Sequence, residues 1–422
     1  MAAATAATSS ITIHLQNMAG KVVELNVNVY ETVGVLQQRV HDEPNFVEGM
    51  LQQIRLVIMK DGAPDVILDD DTRTLASYGV DNETTVHVVV RQPELGECVS
   101  IFGSFGNGIG QFNNPYSACI SPDGELLFVS DTLNHRIQVL RALDGSHVRT
   151  IGSQGSNPGQ FYAPGGICLS PDGELLFVSD MNNNRVQVIR ALDGTHVRSI
   201  VVRMPIDVCS SMNGELLFIV DYDSKYIEVV RSNNGEHVYT IGWEQGQGVE
   251  LQDPRSICVS HDDTLLFISD LKNNCVQVVR SANGEHVNTI GMQGIGDGQL
   301  NSPHGMCLSP DDTLLYVTEY GNNRVQAFRT ADGAYMHTIR KRHHGGYRGN
   351  APGQFDNPSS VCLSPDGTWL YVVDSGNHRV QVFYVRNMSG GRRKRVRRTR
   401  RNRKGHKGRK HTKRHRRRIN RN

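Results

Sequence analysis

The sequence lacks most of the short motifs that mark catalytic or metal-binding proteins. Its 422 residues include eight cysteines but no C-x-x-C pair, so zinc modules of the RING type are not expected. No H-E-x-x-H and no G-x-S-x-G is present, and the glycine-rich stretches lack the Gly-Lys-Ser/Thr of a phosphate loop. We therefore expect no catalytic residues, no cofactor and no metal site, and the chain is predicted not to be an enzyme.

Long apolar runs and a secretory leader are missing as well. The first residues, MAAATAATSS, have no basic segment, and no stretch approaches the roughly 20 apolar residues of a membrane span. Six cysteines each follow a recurring proline by four residues, which favours small buried side chains over disulfides: Cys119, Cys168, Cys209, Cys258, Cys307 and Cys362. These features predict an intracellular, reduced protein without membrane contact.

What the sequence contains in abundance is a repeat. The stretch SPDGELLFVSD occurs unchanged at Ser121 to Asp131 and at Ser170 to Asp180. Six cassettes share its Asp-Gly-type turn and its alternating apolar residues, which predict strands joined by hairpins. They begin at Pro115, Pro164, Pro205, Pro254, Pro303 and Pro358. Four strands per repeat, at a spacing of roughly 40 to 50 residues, are typical of propeller blades.

The two ends of the repeat region predict how the ring closes. GECVSIFGSFGNGIGQFNNP, residues 96–115, parallels GEHVNTIGMQGIGDGQLNSP, residues 284–303. The first of these segments is therefore the last strand of a blade whose other strands lie at residues 361–385. Pairing the two ends removes exposed sheet edges, so a closed six-bladed propeller is predicted over residues 96–385.

The cassette PGGICLSPDGELLFVSDMNNNRVQV, residues 164–188, resembles the NHL repeat. Its D-x-x-N-x-R element recurs in four blades and is altered at the arginine position in blades three and four. The residues are Asp131/Asn134/Arg136, Asp180/Asn183/Arg185, Glu319/Asn322/Arg324 and Asp374/Asn377/Arg379, with Tyr226 and Cys275 at the altered positions. The resemblance implies an architectural role for this element, through hydrogen bonds within each blade.

Residues 11–91 have a different pattern and resemble ubiquitin. Two alternating strands, a segment with helical spacing from Thr32 and two further strands follow the β-grasp order. The matching pieces include A-G-K, I-R-L-V-I and T-R-T-L-A-S-Y. The resemblance places ubiquitin's apolar binding patch on Met18, Val57 and Val89, with His87 nearby. The chain continues past Gln92 without a diglycine, so this domain is expected to be recognised in place and not conjugated.

The C-terminal segment is strongly basic. Residues 391–422 hold 19 of the 45 Lys and Arg and no acidic residue, which leaves 26 basic against 43 acidic residues elsewhere. Such a block of like charge predicts disorder, contact with RNA or DNA phosphates, or nuclear import. The residues assigned to this role are Arg392, Arg393, Lys394, Arg395, Arg397, Arg398, Arg400, Arg401, Arg403 and Lys404.

These features predict a mainly β protein with four parts. Residues 1–10 are expected to be disordered, residues 11–91 to form a small α+β β-grasp domain, residues 96–385 to form the propeller, and residues 386–422 to be disordered. We expect a monomeric, non-enzymatic adaptor in the nucleus or nucleolus. Its β-grasp domain would dock on a ubiquitin receptor or proteasome-type protein, and its propeller would bind a protein client.

The divergent connectors between blades are the candidate client-binding loops. They carry aromatic and basic side chains: Trp243, Arg340, Lys341, Arg342, Tyr347 and Arg348. Two other functions stay open. An NHL propeller can bind RNA or recognise substrates for ubiquitin ligation, although this propeller is acidic. A metal-dependent propeller lyase or lactonase requires inward His, Asp or Glu from several blades, and the repeat positions do not reveal such a set.

Overall fold

The computed structural model describes residues 10–17, 22–28, 32–33, 36, 54–58, 66–68, 73–78, 85–90, 93–242, 248–339 and 348–385. Its N-terminal sheet contains β1 (Ser10–Asn17), β2 (Val22–Asn28), β3 (Ile54–Ile58), β4 (Val66–Leu68) and β5 (Thr85–Val90), in the order β2-β1-β5-β3-β4. Strand β1 runs antiparallel to β2 and parallel to β5. Apart from Thr32, Val33 and Leu36, the segment predicted to be helical from Thr32 lies outside the described residues.

Six four-stranded sheets follow, each an antiparallel blade. Blade 1 contains β7 (Pro115–Ile120), β8 (Leu126–Asp131), β9 (Arg136–Arg141) and β10 (His147–Ile151). Blade 2 contains β11 (Pro164–Leu169), β12 (Leu175–Asp180), β13 (Arg185–Arg190) and β14 (His196–Val201). Blade 3 contains β15 (Pro205–Ser210), β16 (Leu216–Asp221), β17 (Tyr226–Arg231) and β18 (His237–Ile241).

The second half of the ring repeats this arrangement. Blade 4 contains β19 (Pro254–Val259), β20 (Leu265–Asp270), β21 (Cys275–Arg280) and β22 (His286–Ile290). Blade 5 contains β23 (Pro303–Leu308), β24 (Leu314–Glu319), β25 (Arg324–Arg329) and β26 (Tyr335–Ile339). Blade 6 contains β27 (Pro358–Leu363), β28 (Trp369–Asp374) and β29 (Arg379–Tyr384).

Blade 6 takes its fourth strand from the other end of the repeat region. That strand is β6 (Cys98–Phe102), which pairs antiparallel with β29 through partners such as Val380 and Phe102. The predicted count of six blades and the predicted closure are confirmed. Short 3-10 turns at Leu75–Tyr78, Thr132–Asn134, Met181–Asn183 and Ser375–Asn377 complete the described elements. None of the described helices has the length and apolarity needed to cross a membrane.

The hydrophobic core of the propeller is divided among the six junctions between blades. Each buried cluster combines side chains of two neighbours, as where Phe128 of blade 1 packs with Ile167 of blade 2. Alternation along a strand directs apolar side chains to both faces of the sheet, so one blade cannot bury itself. A fully buried Phe stabilises a fold by roughly 1.5–3 kcal/mol, and each junction holds at least one.

The D-x-x-N-x-R element ties the connector loops to the blades. In blade 1, Asp131 accepts hydrogen bonds from Asn134 at 2.9 Å and from Arg136 Nε at 2.8 Å. The same guanidinium donates to the carbonyl oxygens of Gly108 and Gln111 in the preceding connector. These contacts satisfy buried polar groups and fix the loop, as the sequence analysis predicted for this element.

The first strand of every blade lies next to the central axis. Each of β7, β11, β15, β19, β23 and β27 contacts the first strands of both neighbouring blades, so together they line the channel. A β-bulge interrupts their pairing with the second strands just after the opening proline, as between Pro254 and Ser256 in blade 4. Bulges redirect side chains, and here they act at one end of the channel.

Candidate functional site

The structure describes few of the residues predicted to form sites. Met18, Trp243, Arg340 to Arg342, Tyr347 and the basic residues from Arg392 to Lys404 lie outside the described residues. Val57 lies on β3 opposite His87 of β5, and Val89 lies on β5 opposite Arg55. Arg348 forms an ion pair with Asp356 at 2.7 Å. The Arg348 side chain is largely exposed, whereas that of Asp356 is buried.

A cavity at one end of the propeller channel is the candidate site. It measures about 340 Å³, a size that suits a small metabolite. The lining comes from blades 1, 4, 5 and 6, with polar groups converging on a partly aromatic wall. Its residues are Asn114, Tyr116, Arg255, Leu271, His304, Tyr320, Ser359 and Ser375.

The position directly after each blade's opening proline supplies half of this lining. These residues sit at the bulge and lack a partner on the second strand, as Arg255 does between the paired residues Pro254 and Ser256. In ring order they are Tyr116, Gly165, Ile206, Arg255, His304 and Ser359. The repeat therefore holds the backbone constant at the channel mouth, while the side chains there differ in every blade.

His304 is a buried, neutral imidazole in this cavity. Burial lowers its pKa to about 4, so the ring is uncharged at neutral pH. Its Nδ1 lies 2.7 Å from the carbonyl oxygen of Ser359, and a carbonyl can only accept, so Nδ1 carries the proton. Nε2 is then a lone-pair acceptor, and it makes no hydrogen bond within the described part of the chain. This is the form required of a general base.

Arg255 supplies the positive charge of the cavity. Its Nη2 donates to Asp253 at 3.2 Å, and its guanidinium lies 4.6 Å from the centre of the Tyr222 ring. Arg255 Nε and Asp253 Oδ1 are 2.9 Å apart but are not aligned for a hydrogen bond, so this second contact is purely an ion pair. Burial alone would lower the pKa of Arg255, but the neighbouring carboxylate outweighs it and the pKa is raised.

Tyr116 reaches across the channel from blade 1. Its side chain packs against the core shared by blades 3 and 4, and its ring meets His304 edge-on at 5.2 Å. The phenolic oxygen is buried and has no hydrogen-bond partner among the described residues. Burial raises the pKa of this phenol, so Tyr116 is a protonated donor without an acceptor.

A carboxyl group, that of Asp207, lies one residue beyond the post-proline position of blade 3. Asp207 of blade 3 is buried and accepts backbone hydrogen bonds from Ile257 at 3.1 Å and Val208 at 3.0 Å. Burial raises its pKa to about 6, which the hydrogen bonds only partly offset. Gly166 of blade 2 leaves room for this carboxyl group, since a Cβ at Gly166 would overlap Asp207.

The donor set does not fit a metal ion. Within the described ranges, no three His, Cys, Asp or Glu side chains are grouped so that they could bind one. All eight cysteines are free thiols, and burial raises the pKa of the six that follow the blade prolines. The chemistry available in the cavity is therefore that of His304, Arg255 and Tyr116.

The sequence did not reveal this site, because inward His, Asp or Glu residues from several blades were expected of a channel site and the repeat positions contain no such set. The sequence feature that marks the site is variation at the position after each blade proline, where the surrounding cassette is constant. Arg255 and His304 directly follow the blade prolines Pro254 and Pro303. Period-two alternation along a strand does not show which side chains a bulge redirects, so it did not identify the residues that face the channel.

The comparisons with known proteins match part of the chain to a propeller family model. Residues 244–418 match the family model described as "Lactonase, 7-bladed beta-propeller", over less than half of the chain. The structure has six blades where that description gives seven. Hydrazine synthase from Kuenenia stuttgartiensis is a similar solved structure, with 17% identity and a TM-score of 0.49 over 66% of this chain and 97% of that one. The comparison with curated proteins gives no match.

The lactonase match corrects two sequence-based predictions. A lactonase is an enzyme, so the match contradicts both the non-enzymatic adaptor and the statement that the chain has no enzymatic activity. It favours the lactonase alternative that the propeller architecture had left open. The matched segment also includes six of the eight cavity residues, from Arg255 to Ser375.

Proposed function

We propose that the protein is a lactone hydrolase that acts in the channel cavity. The observation that carries this proposal is the neutral imidazole of His304, with Nδ1 held by a carbonyl and Nε2 left free, beside the donors Tyr116 and Arg255. Ester hydrolysis needs a base for water and a donor for the carbonyl oxygen. The family match over the segment that contains most of the cavity lends further support.

In the proposed reaction, His304 Nε2 takes a proton from a water molecule as its oxygen attacks the lactone carbonyl carbon. The electron pair of the carbonyl double bond moves to oxygen, where the Tyr116 hydroxyl and the Arg255 guanidinium stabilise the negative charge. The ring C–O bond then breaks, and the leaving alkoxide takes the proton from the imidazolium. The product is a hydroxy acid, and no other reactant is consumed.

The first test compares two histidines of the same blade. His304→Gln removes the base, whereas His337→Gln changes a half-buried histidine of β26 whose pKa burial also lowers. We expect loss of about 10²–10⁴-fold in kcat/KM for five- and six-membered lactones in His304→Gln and no change in His337→Gln. Equal loss in both variants, or no lactone turnover above the spontaneous rate in the wild type, contradicts the proposal.

The pH dependence gives a second, independent test. Because the pKa of His304 is lowered to about 4, the base form is present at all higher pH values. We expect kcat/KM to fall only as the pH drops through about 4, well below the usual histidine range near 6.5. An acid limb centred at the ordinary histidine pKa would show that a different group is the base.

Two finer assignments remain proposals: the NHL type of the propeller and the ubiquitin-like identity of the N-terminal domain. The propeller is taken to be of NHL type on its repeat cassette, and residues 11–91 to be ubiquitin-like on the strand order β2-β1-β5-β3-β4. The predicted boundaries at residues 11–91 and 96–385 belong to the same proposal. Expression of residues 93–385 alone tests it, because a separate propeller should unfold in a single transition and retain lactone hydrolysis.

A further inference from the structure

Two buried serine hydroxyls bridge the junction between blade 6 and blade 1. Ser359, on β27, donates through its hydroxyl to the carbonyl of Tyr116 at 2.7 Å. Ser375, in the 3-10 turn after β28, contacts the carbonyl of Pro115, and its hydroxyl lies 2.6 Å from that of Ser359. Both side chains are buried. The first strand of blade 1 is thereby fixed to the inner edge of blade 6.

The same junction determines the orientation of His304. The acceptor for the His304 Nδ1 proton is the backbone carbonyl of Ser359, at 2.7 Å. That carbonyl belongs to the residue whose hydroxyl holds blade 1. A chain of contacts therefore runs from the Pro115 and Tyr116 carbonyls through the two hydroxyls to the imidazole. Displacing Ser359 would move the acceptor that selects the tautomer of His304.

Blade 1 uses an equivalent contact away from the cavity. Thr132, which occupies the position of Ser375 in its own blade, donates to the carbonyl of Pro164 in blade 2 at 2.8 Å. Thr132 and Ser375 are equally buried, at 4% and 5% exposure. In blade 1 the residue at the position of Ser359 is Tyr116, whose hydroxyl makes no hydrogen bond among the described residues, so no second hydroxyl continues the chain there. Thr132 therefore provides a matched structural control.

We propose that Ser359 and Ser375 are positioning residues that fix the tautomer and the orientation of the His304 base. This inference rests on the proposed lactone hydrolysis for its catalytic consequence. Neither hydroxyl takes part in bond making. Their role is to keep the Ser359 carbonyl where it accepts the Nδ1 proton, so that the Nε2 lone pair faces the cavity.

The experiment combines ring nitrogen chemical shifts of His304 with kinetics in the full chain. In the wild type we expect nitrogen-15 shifts that report a proton on Nδ1. Ser359→Ala and Ser375→Ala should shift the ring towards the Nε2-protonated form that free imidazole side chains favour. The same variants should lower kcat for a five-membered lactone about tenfold, with little change in KM and an acid limb at higher pH. Ser375→Thr, which keeps a hydroxyl, should restore both readouts.

Thr132→Val separates positioning from general loosening of the ring. It removes an equivalent buried contact and should lower stability as Ser375→Ala does, with the His304 shifts and the pH profile unchanged. Unchanged shifts in both serine variants, or the same change in Thr132→Val, would overturn the inference. If the wild type hydrolyses no lactone, the proposed function fails, and the nitrogen shifts alone still decide whether the serines position His304.

Discussion

Two sets of equivalent positions in the ring differ in how much they vary. The acidic residue, Asn and Arg of the D-x-x-N-x-R element recur in four blades, with Glu319 as the acidic residue of blade 5, and form buried ion pairs and hydrogen bonds to the connectors. The residues after the blade prolines are different in all six copies and converge on the channel mouth. In a duplicated scaffold, the constant positions hold the fold, and the variable positions next to the axis supply the chemistry.

Blades 3 and 4 show that the constant set is structural. Blade 4 has Cys275 in place of the arginine; its Asp270 keeps the Asn273 side chain as a donor at 2.8 Å and also accepts from the backbone amide of Asp253 at 3.0 Å. Blade 3 has Tyr226 there, and Asp221 accepts from the amide of Ser224. The acidic residue stays buried and bonded in both, so the arginine can be exchanged when another donor is available.

The largest effect is expected from breaking a constant position. Arg324→Ala leaves Glu319 buried without its cation, where both side chains are at most 1% exposed. We expect a loss of about 3–5 kcal/mol in the free energy of unfolding, measured in urea. Arg329→Ala in the same blade breaks an exposed pair with Asp332 and should cost under about 1 kcal/mol. Similar losses in the two variants would refute the structural role of the buried pair.

The channel carboxyl should make stability depend on pH. Because the folded pKa of Asp207 is raised to about 6, its contribution is present at low pH and is lost as the pH rises from about 4 through 6. The wild type should lose up to about 3 kcal/mol in its free energy of unfolding as Asp207 ionises, and Asp207→Asn should not show this loss. The variant therefore gains stability over the wild type between pH 4 and pH 7. Asp223→Asn, at an exposed pair with Arg203, is the control. Parallel pH curves for wild type and Asp207→Asn would contradict the assignment.

A smaller effect is expected one residue beyond the variable position of blade 2, at a glycine that packs against blade 3. Gly166→Ala places a Cβ against Asp207, whose backbone cannot move away easily. We expect destabilisation of about 1–3 kcal/mol from overpacking, together with a changed KM for the lactone substrate. Thermal unfolding and kinetics measure the two consequences. Wild-type values for both would show that the inner strands of blades 2 and 3 have room to adjust.

The smallest effect is expected on the outer surface of the ring. Leu192 is 82% exposed in the turn between β13 and β14. Leu192→Ser should change the free energy of unfolding by no more than about 0.5 kcal/mol and leave hydrolysis unchanged. A larger change would indicate that this turn contributes to folding or to the site. It would contradict the view that outer positions matter less than inner ones.

Much of the fold followed from the repeat, whereas little of the site did. The turn chemistry of SPDG, the alternation in strands such as β13 and β14 and the parallel between residues 96–115 and 284–303 predicted the blades and their closure. The candidate loops were chosen for aromatic and basic content, which is a property of composition. The cavity depends on geometry, since Tyr116 and His304 are far apart in sequence and meet only when the ring closes.

The sequence by itself determined the blade count, the latch formed by β6 and the buried acidic networks, because each depends on short-range patterns that recur in every copy. The tertiary structure alone decided that Arg255, His304 and Tyr116 share one cavity, and that burial keeps His304 neutral. The physical reason is that pKa values and side-chain directions depend on what surrounds a group. At the channel mouth those surroundings come from four different blades.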